Sequence, residues 1–236
     1  ICGKAYHTEL LSGVWTYMYR NEGVTNAWKS ALLFRLTKDS KYLDYVLAFA
    51  AYYSVNYQEF KLHNKEGIDT ENDAAIPWGS SRIMPQSLNE AIFLIRLVNA
   101  LELIKEEVTP EFMEAMHQNL FRPAFELFKP QVDKIHNISC WLNSAIGVMG
   151  LFLKKQDMID FAFKGEFNIG EQLVKGVTKD YFWYEGSIHY NYFTLEGVVN
   201  LLLFCKLYDY DFNLGEKYVA QDRKSTRLNS SHGKLS

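Results

Sequence analysis

Gln86–Glu106, QSLNEAIFLIRLVNALELIKE, is the stretch on which the fold turns. Its apolar residues Leu88, Ala91, Ile92, Ile95, Val98, Leu101 and Ile104 recur every three or four positions, the spacing that lines one face of an α-helix. Pro85, directly ahead, sets up the helix start. The same pattern continues on both sides. Upstream, Ala27, Trp28, Ala31, Leu32, Phe34 and Leu36 keep helical spacing behind Thr25 or Asn26, either of which can cap a helix. Ile1–Asn21 is aromatic-rich and is expected to complete an earlier helix. Lys38–Lys41 forms a polar turn, and Tyr42–Tyr57 a second helix, so the pair is predicted to be a helical hairpin.

Downstream, Pro110 sits in the first turn of a helix running to about Phe128, where proline is tolerated. Asn137–Leu153 is apolar on most sides and is predicted to be a buried helix. Ile159–Phe163 and Ile169–Val177 give short amphipathic helices, and Tyr192–Tyr208 a strongly hydrophobic one. Helix follows helix, with almost no strand-like alternation. The fold class is therefore all-α, and the hairpins suggest an incomplete α/α toroid whose inner helices meet at a central cleft. Lys61–Ser81 holds Gly, Asp, Asn and Pro without apolar period, and loops of this length inside a compact domain are usually functional.

With 236 residues, 48% hydrophobic and 22% charged, the chain can bury a substantial core. Aromatic residues reach 15%, a supply of flat faces that can either fill a helical core or stack on sugar rings. Cys2, Cys140 and Cys205 are too few and too scattered for a disulfide framework or a zinc site. No apolar run approaches membrane-spanning length and no signal peptide is visible. The chain starts at Ile1 without an initiator Met, so its true beginning is expected upstream.

The other end is unusual. Asp222–His232 reads DRKSTRLNSSH, the in-frame translation of a common sequencing-adapter DNA. Residues 222–236 are expected to be a disordered artefact appended to a truncated reading frame, leaving residues 1–221 as one domain. The tail carries four Lys/Arg and one Asp, so without it the formal net charge falls from −3 to −6. An acidic body with no basic stripe excludes nucleic acid as a partner. An anionic polymer would need cationic or polar donors gathered in a cleft.

Two short stretches carry chemistry. His136–Trp141 (HNISCW) and Trp183–Tyr192 (WYEGSIHYNY) place carboxylate, imidazole, hydroxyl, amide and phenol groups between helical segments. There is no HExxH, no GxSxG and no phosphate-binding glycine loop; GEFNIG at 165–170 lacks the strand and helix context of a nucleotide fingerprint.

Three runs, DYFWYEGSIHYNYFTLEG (Asp180–Gly197), HNISCWLNSAIGVMGL (His136–Leu151) and WGSSRIMPQSLNEA (Trp78–Ala91), resemble the heparinase II/III-like polysaccharide lyases and occur in that family's order. The resemblance spans roughly Glu59 to Tyr208. It implies an N-terminal α/α toroid followed, in the family, by a C-terminal antiparallel β-sandwich that lies outside this chain. That sandwich supplies further active-site groups, often with a structural metal. No cofactor or metal is expected within these residues. The implied activity is β-elimination on an acidic, uronate-containing polysaccharide such as a glycosaminoglycan or alginate, feeble in the toroid alone. A periplasmic or secreted location is favoured over a cytoplasmic one.

Such a lyase removes the C5 proton of a uronate and expels the oxygen at C4, so it needs a base, an acid and donors for the anion that develops. The resemblance assigns Tyr190, in its S-x-x-Y setting, as base and then acid. A tyrosine of ordinary pKa about 10 needs a cation or a proton acceptor nearby, for which His136 and His189 are candidates. Asn137 is assigned to neutralise the substrate carboxylate, or else caps the following helix. Glu185 orients a histidine or binds a sugar hydroxyl. Asn191 stands where the family favours His. Trp78, Arg82, Gln86 and Glu90 form a second, substrate-binding set: Gln86 and Glu90 share a helix face, and Arg82 either grips a carboxylate or pairs with Glu90. Trp141 stacks on a sugar or packs beneath the cleft.

Two other readings remain. Toroids also host glycoside hydrolases built on two carboxylates, here Asp180 and Glu185. A non-catalytic glycan-binding scaffold is the third.

Overall fold

The computed structural model describes residues 9–214; Cys2 and the 222–236 tail lie outside them. Nine α-helices are bounded within the described residues, alongside short 3-10 and π segments and three isolated β-bridges. The chain is all-α. It divides into two compact units, one up to Leu127 and one from Phe128.

The first unit opens with α1 (Glu9–Thr37) and α2 (Ser40–Asn56). Here the structure corrects the sequence reading: α1 runs unbroken through residues 21–26, where a new helix start was expected. Thr25 does not cap. Its Oγ1 donates to the Asn21 carbonyl one turn back, a bond that a threonine inside a helix makes as readily as a boundary. The expected hairpin does form, between α1 and α2. Lys38 turns the chain at φ 59, and Asp39 caps α2 by accepting the Lys41 N–H at 3.1 Å.

α3 (Ser87–Leu103) packs along α1, and Arg96 on its flank donates to Asn21 at 2.7 Å. α4 (Pro110–Met116) and α5 (Arg122–Phe128) are joined by a π-helical turn over His117–Phe121. The single helix expected from Pro110 to Phe128 is thus continuous in path but widened in its middle.

The second unit is built round α6 (Asn137–Leu153), in which every residue from Asn137 to Phe152 is buried. α7 (Gln156–Lys164), α8 (Ile169–Gly176) and α9 (Ile188–Leu207) all pack on it. α9 begins four residues earlier than the apolar pattern indicated. Its first three residues, Ile188, His189 and Tyr190, are exposed and the fourth is the polar Asn191, so hydrophobic spacing does not register there.

Between α8 and α9 the chain makes a small hairpin. Val177 and Trp183 form an antiparallel bridge, the Tyr184 N–H donates to the Gly176 carbonyl at 2.9 Å and the Thr178 N–H to the Phe182 carbonyl at 2.8 Å. Gly186 closes the turn after it at φ 71, with its N–H on the Trp183 carbonyl at 3.1 Å. Only a residue free of Cβ strain adopts that conformation cheaply.

Candidate active site

The two chemistry-bearing stretches of the sequence meet at the start of α6. Asn137 is its first residue, 4% exposed, and its Nδ2 donates to Glu185 Oε2 at 2.6 Å across 48 residues of sequence. The same carboxylate oxygen accepts the indole N–H of Trp183 at 2.5 Å. Trp183 is completely buried, and its own backbone N–H donates to Asn191 Oδ1 at 2.9 Å. The Tyr184 hydroxyl donates to the Ile135 carbonyl at 3.0 Å. The hairpin and the α6 entry are therefore fastened to one another at several points, and both candidate stretches belong to one constellation.

His136 is the N-cap of α6, a role the sequence reading held open for Asn137 as its alternative. Its Nδ1 accepts the Ile138 N–H at 3.2 Å. An Nδ1 that accepts leaves the neutral ring's hydrogen on Nε2. Burial pushes the His136 pKa down, while the Glu185 charge pulls it the other way. His136 is thus a neutral N–H donor rather than a ready proton acceptor.

Gln172, which sequence reasoning missed, fixes this corner from behind. It is fully buried, accepts the His136 backbone N–H at 3.0 Å, and donates to the carbonyls of Lys134 at 2.9 Å and Phe167 at 3.0 Å. The signal was present: Gln172 falls on the apolar face defined by Ile169, Leu173 and Gly176. A polar side chain there has to find internal partners.

Tyr190 and His189 lie in the exposed first turn of α9. Tyr190 is 44% exposed. The His189 ring sits edge-on to it, centroids 5.9 Å apart at 65°, and is itself stacked parallel to Phe193 at 6.3 Å. Of the two histidines named as partners for Tyr190, the structure sets His189 beside it. Trp141 is 1% exposed, with its ring against Phe193 at 5.1 Å and facing Gly197. It packs between α6 and α9 and presents no face for a sugar.

Trp78, Arg82, Gln86 and Glu90 belong to the first unit, where Arg82 and Glu90 organise the 61–86 loop. Glu90 is fully buried. It accepts the Tyr57 hydroxyl at 2.5 Å on Oε1 and the backbone N–H groups of Arg82 and Ile83, both at 2.8 Å, on Oε2. Desolvation raises its pKa, opposed by these donors. Sealed in this way, Glu90 holds the loop to α3 and faces no substrate.

The Arg82 guanidinium does not pair with Glu90. It grips Glu71 through two bonds, Nη1–Oε2 at 3.0 Å and Nη2–Oε1 at 2.8 Å, and donates to the Phe60 carbonyl at 2.7 Å. The Glu71 pair ties the end of the loop to its middle, and the Phe60 bond ties it to its start. Gln86 is the half-buried N-cap of α3 and makes no side-chain cap bond. Trp78 is half-buried within the loop. Among the described residues no group of three or more His, Cys, Asp or Glu side chains could hold a metal ion, and no helix is long and apolar enough to cross a membrane.

Comparison with curated proteins gives two relatives. One, named alginate lyase, from Stenotrophomonas maltophilia (strain K279a), is 25% identical over 168 residues, covering 68% of this chain and 21% of the relative. The other, named exo-oligoalginate lyase, from Saccharophagus degradans (strain 2-40), is 23% identical over 172 residues, covering 69% of this chain and 22% of the relative. The chain spans about a fifth of the length of each. These similarities relate it to polysaccharide lyases. No family model matches the chain.

Proposed function

We propose that this chain is the catalytic helical portion of a heparinase II/III-like lyase that cleaves an acidic polysaccharide by β-elimination, its helices forming part of an α/α toroid. Alginate or a related polyuronate is the substrate class that the relatives' names favour. The observation that carries the reading is the Asn137 amide, held at the buried entry of α6 beside a neutral His136. A uronate carboxylate set there meets the N–H donors of Asn137 and His136. Asn137 and His136 Nε2 stabilise the enolate-like anion as the C5 proton leaves, since preorganised donors act strongly where water is scarce.

Tyr190 is the proton-transfer residue, with His189 beside it to take up or return the phenolic proton. Proton transfer to the C4 oxygen then completes the elimination and leaves an unsaturated uronate at the new non-reducing end. The family's β-sandwich would add the remaining contacts and any structural metal.

Incubation of the chain with oligoalginate, followed by ultraviolet absorbance and mass spectrometry of the products, tests this. The expected result is slow formation of unsaturated oligomers, abolished in Tyr190→Phe. Saturated products with new reducing ends would overturn the proposal in favour of hydrolysis, and binding without any cleavage in favour of a scaffold. Equal rates for wild type and Tyr190→Phe would remove Tyr190 from its role.

A further inference from the structure

A carboxylate beside the binding place of an anion has to be accounted for. Glu185 is such a group, yet its Oε2 is already taken from two sides, by Asn137 Nδ2 at 2.6 Å and by the indole of the buried Trp183 at 2.5 Å. Both are inward-facing protein donors. An asparagine side chain on its own rotates about a broad terminal torsion and can exchange its oxygen and nitrogen ends. A carboxylate accepts hydrogen bonds and cannot donate, so it selects the NH2 end and excludes the flipped amide.

From this geometry we infer that Glu185 is a positioning residue: it locks the Asn137 side chain with its amide nitrogen towards the site, one N–H on Glu185 and the second left to meet the substrate carboxylate. Glu185 touches no sugar. Trp183, seated on Gly176 at the end of α8, keeps the carboxylate from swinging out, and its N–H offsets part of the negative charge that would repel an anion. The inference rests on the lyase reading of the same site and assigns the orientation of its central donor to a residue 48 positions away.

The experiment compares wild type, Glu185→Gln, Glu185→Ala, Asn137→Ala and the Glu185→Ala/Asn137→Ala double variant. Two readouts are taken: the side-chain amide signals of Asn137 by ¹⁵N NMR, and steady-state kinetics on oligoalginate. In wild type one Asn137 Nδ2 proton should be displaced downfield and slow to exchange. Glu185→Ala should abolish that signature and lower kcat by about 10- to 100-fold, the range of a transition-state donor that has lost its orientation, with KM changed less than threefold. Glu185→Gln can put its carbonyl oxygen where Oε2 stands and accept both donors, so it should restore the signature and most of the rate. The double variant should be no slower than Asn137→Ala, because residues acting through one another are not additive.

Additive losses, or an Asn137 signature unchanged in Glu185→Ala, would overturn the inference. A Glu185→Gln variant as damaged as Glu185→Ala would also overturn it, since the charge itself would then be acting on substrate. Failure of the lyase reading appears elsewhere, as wild type forming no unsaturated product. The NMR arm still reports in that case whether Glu185 holds the amide.

Discussion

Replacing Gly176 by alanine should unfold the corner that carries Glu185. A Cβ built at Gly176 lies 2.3 Å from Trp183 Cζ3 and 2.5 Å from Cη2, where ordinary contact begins at 3.4 Å. The indole would have to retreat by at least about 1 Å, and overpacking of that kind costs about 1–3 kcal/mol. Trp183 is fully buried and its N–H is bonded to Glu185. Displacing the ring stretches that bond, and an unsatisfied buried donor costs about 1–3 kcal/mol more. Set against this, Ala exceeds Gly in helix propensity by about 1 kcal/mol. The clash wins, for a net loss of about 2–4 kcal/mol. With a urea slope of about 2 kcal/mol/M, the unfolding midpoint should fall by about 1–2 M. Gly186 is the control, because it is needed for its backbone (φ 71) and has open space where a Cβ would go. Gly186→Asn, a residue that tolerates this conformation, should cost about 1 kcal/mol or less. A Gly176→Ala midpoint within about 0.3 M of wild type would refute the packing argument.

In the first unit, Glu90→Gln can still accept the two backbone N–H groups and turn its own amide to Tyr57, so it should lose about 1 kcal/mol. Glu90→Ala strands three buried donors and should lose about 3–5 kcal/mol, read by thermal unfolding. The two loop carboxylates should also bend stability with pH in opposite senses. Burial raises the Glu90 pKa, so its contribution is full below the ordinary carboxylate range and declines as pH rises through the raised value; Glu90→Gln should remove that decline. Hydrogen bonds from Arg82 and then from the Leu62 N–H lower the Glu71 pKa, so its contribution is present above the ordinary range and disappears as pH falls through the lowered value. Glu71→Gln should flatten this acid limb in a profile of Tm against pH. Finally, burial drives the Cys140 thiol well above its ordinary pKa, and Cys205 is equally enclosed. Mass spectrometry after iodoacetamide treatment should find both unmodified in native protein and alkylated in urea; rapid native labelling of Cys140 would contradict its burial.

How much of this was legible before the fold was seen depends on the range of the interaction. The period of three and four residues located α2, α3 and α6 to within a few residues, because their apolar faces are set by local spacing alone. The false boundary in α1 came from Thr25, whose residue type fits a cap and an internal back-bond equally well. The start of α9 was placed late because His189, Tyr190 and Asn191 interrupt the apolar pattern within its first turn. The partners of buried polar groups were beyond sequence reasoning. Glu90 meets Tyr57 33 residues away and Gln172 meets His136 36 residues away, and no local pattern encodes either distance. What the sequence could reveal was the anomaly, a carboxylate and an amide on faces otherwise apolar.

Asn191 shows what the geometry adds to a family resemblance. The position favours histidine in the family, so asparagine there reads as a departure that weakens the transfer of roles. In the fold, Asn191 is 1% exposed and its side-chain oxygen accepts the Trp183 backbone N–H at 2.9 Å. The position requires a buried acceptor that holds the hairpin, and a neutral imidazole nitrogen meets that requirement as an amide oxygen does. Through Trp183 the bond supports Glu185, and through Glu185 it supports Asn137. The departure therefore falls on a residue that braces the Trp183 hairpin from within, and with asparagine at that position the contact of Glu185 with Asn137 is still made.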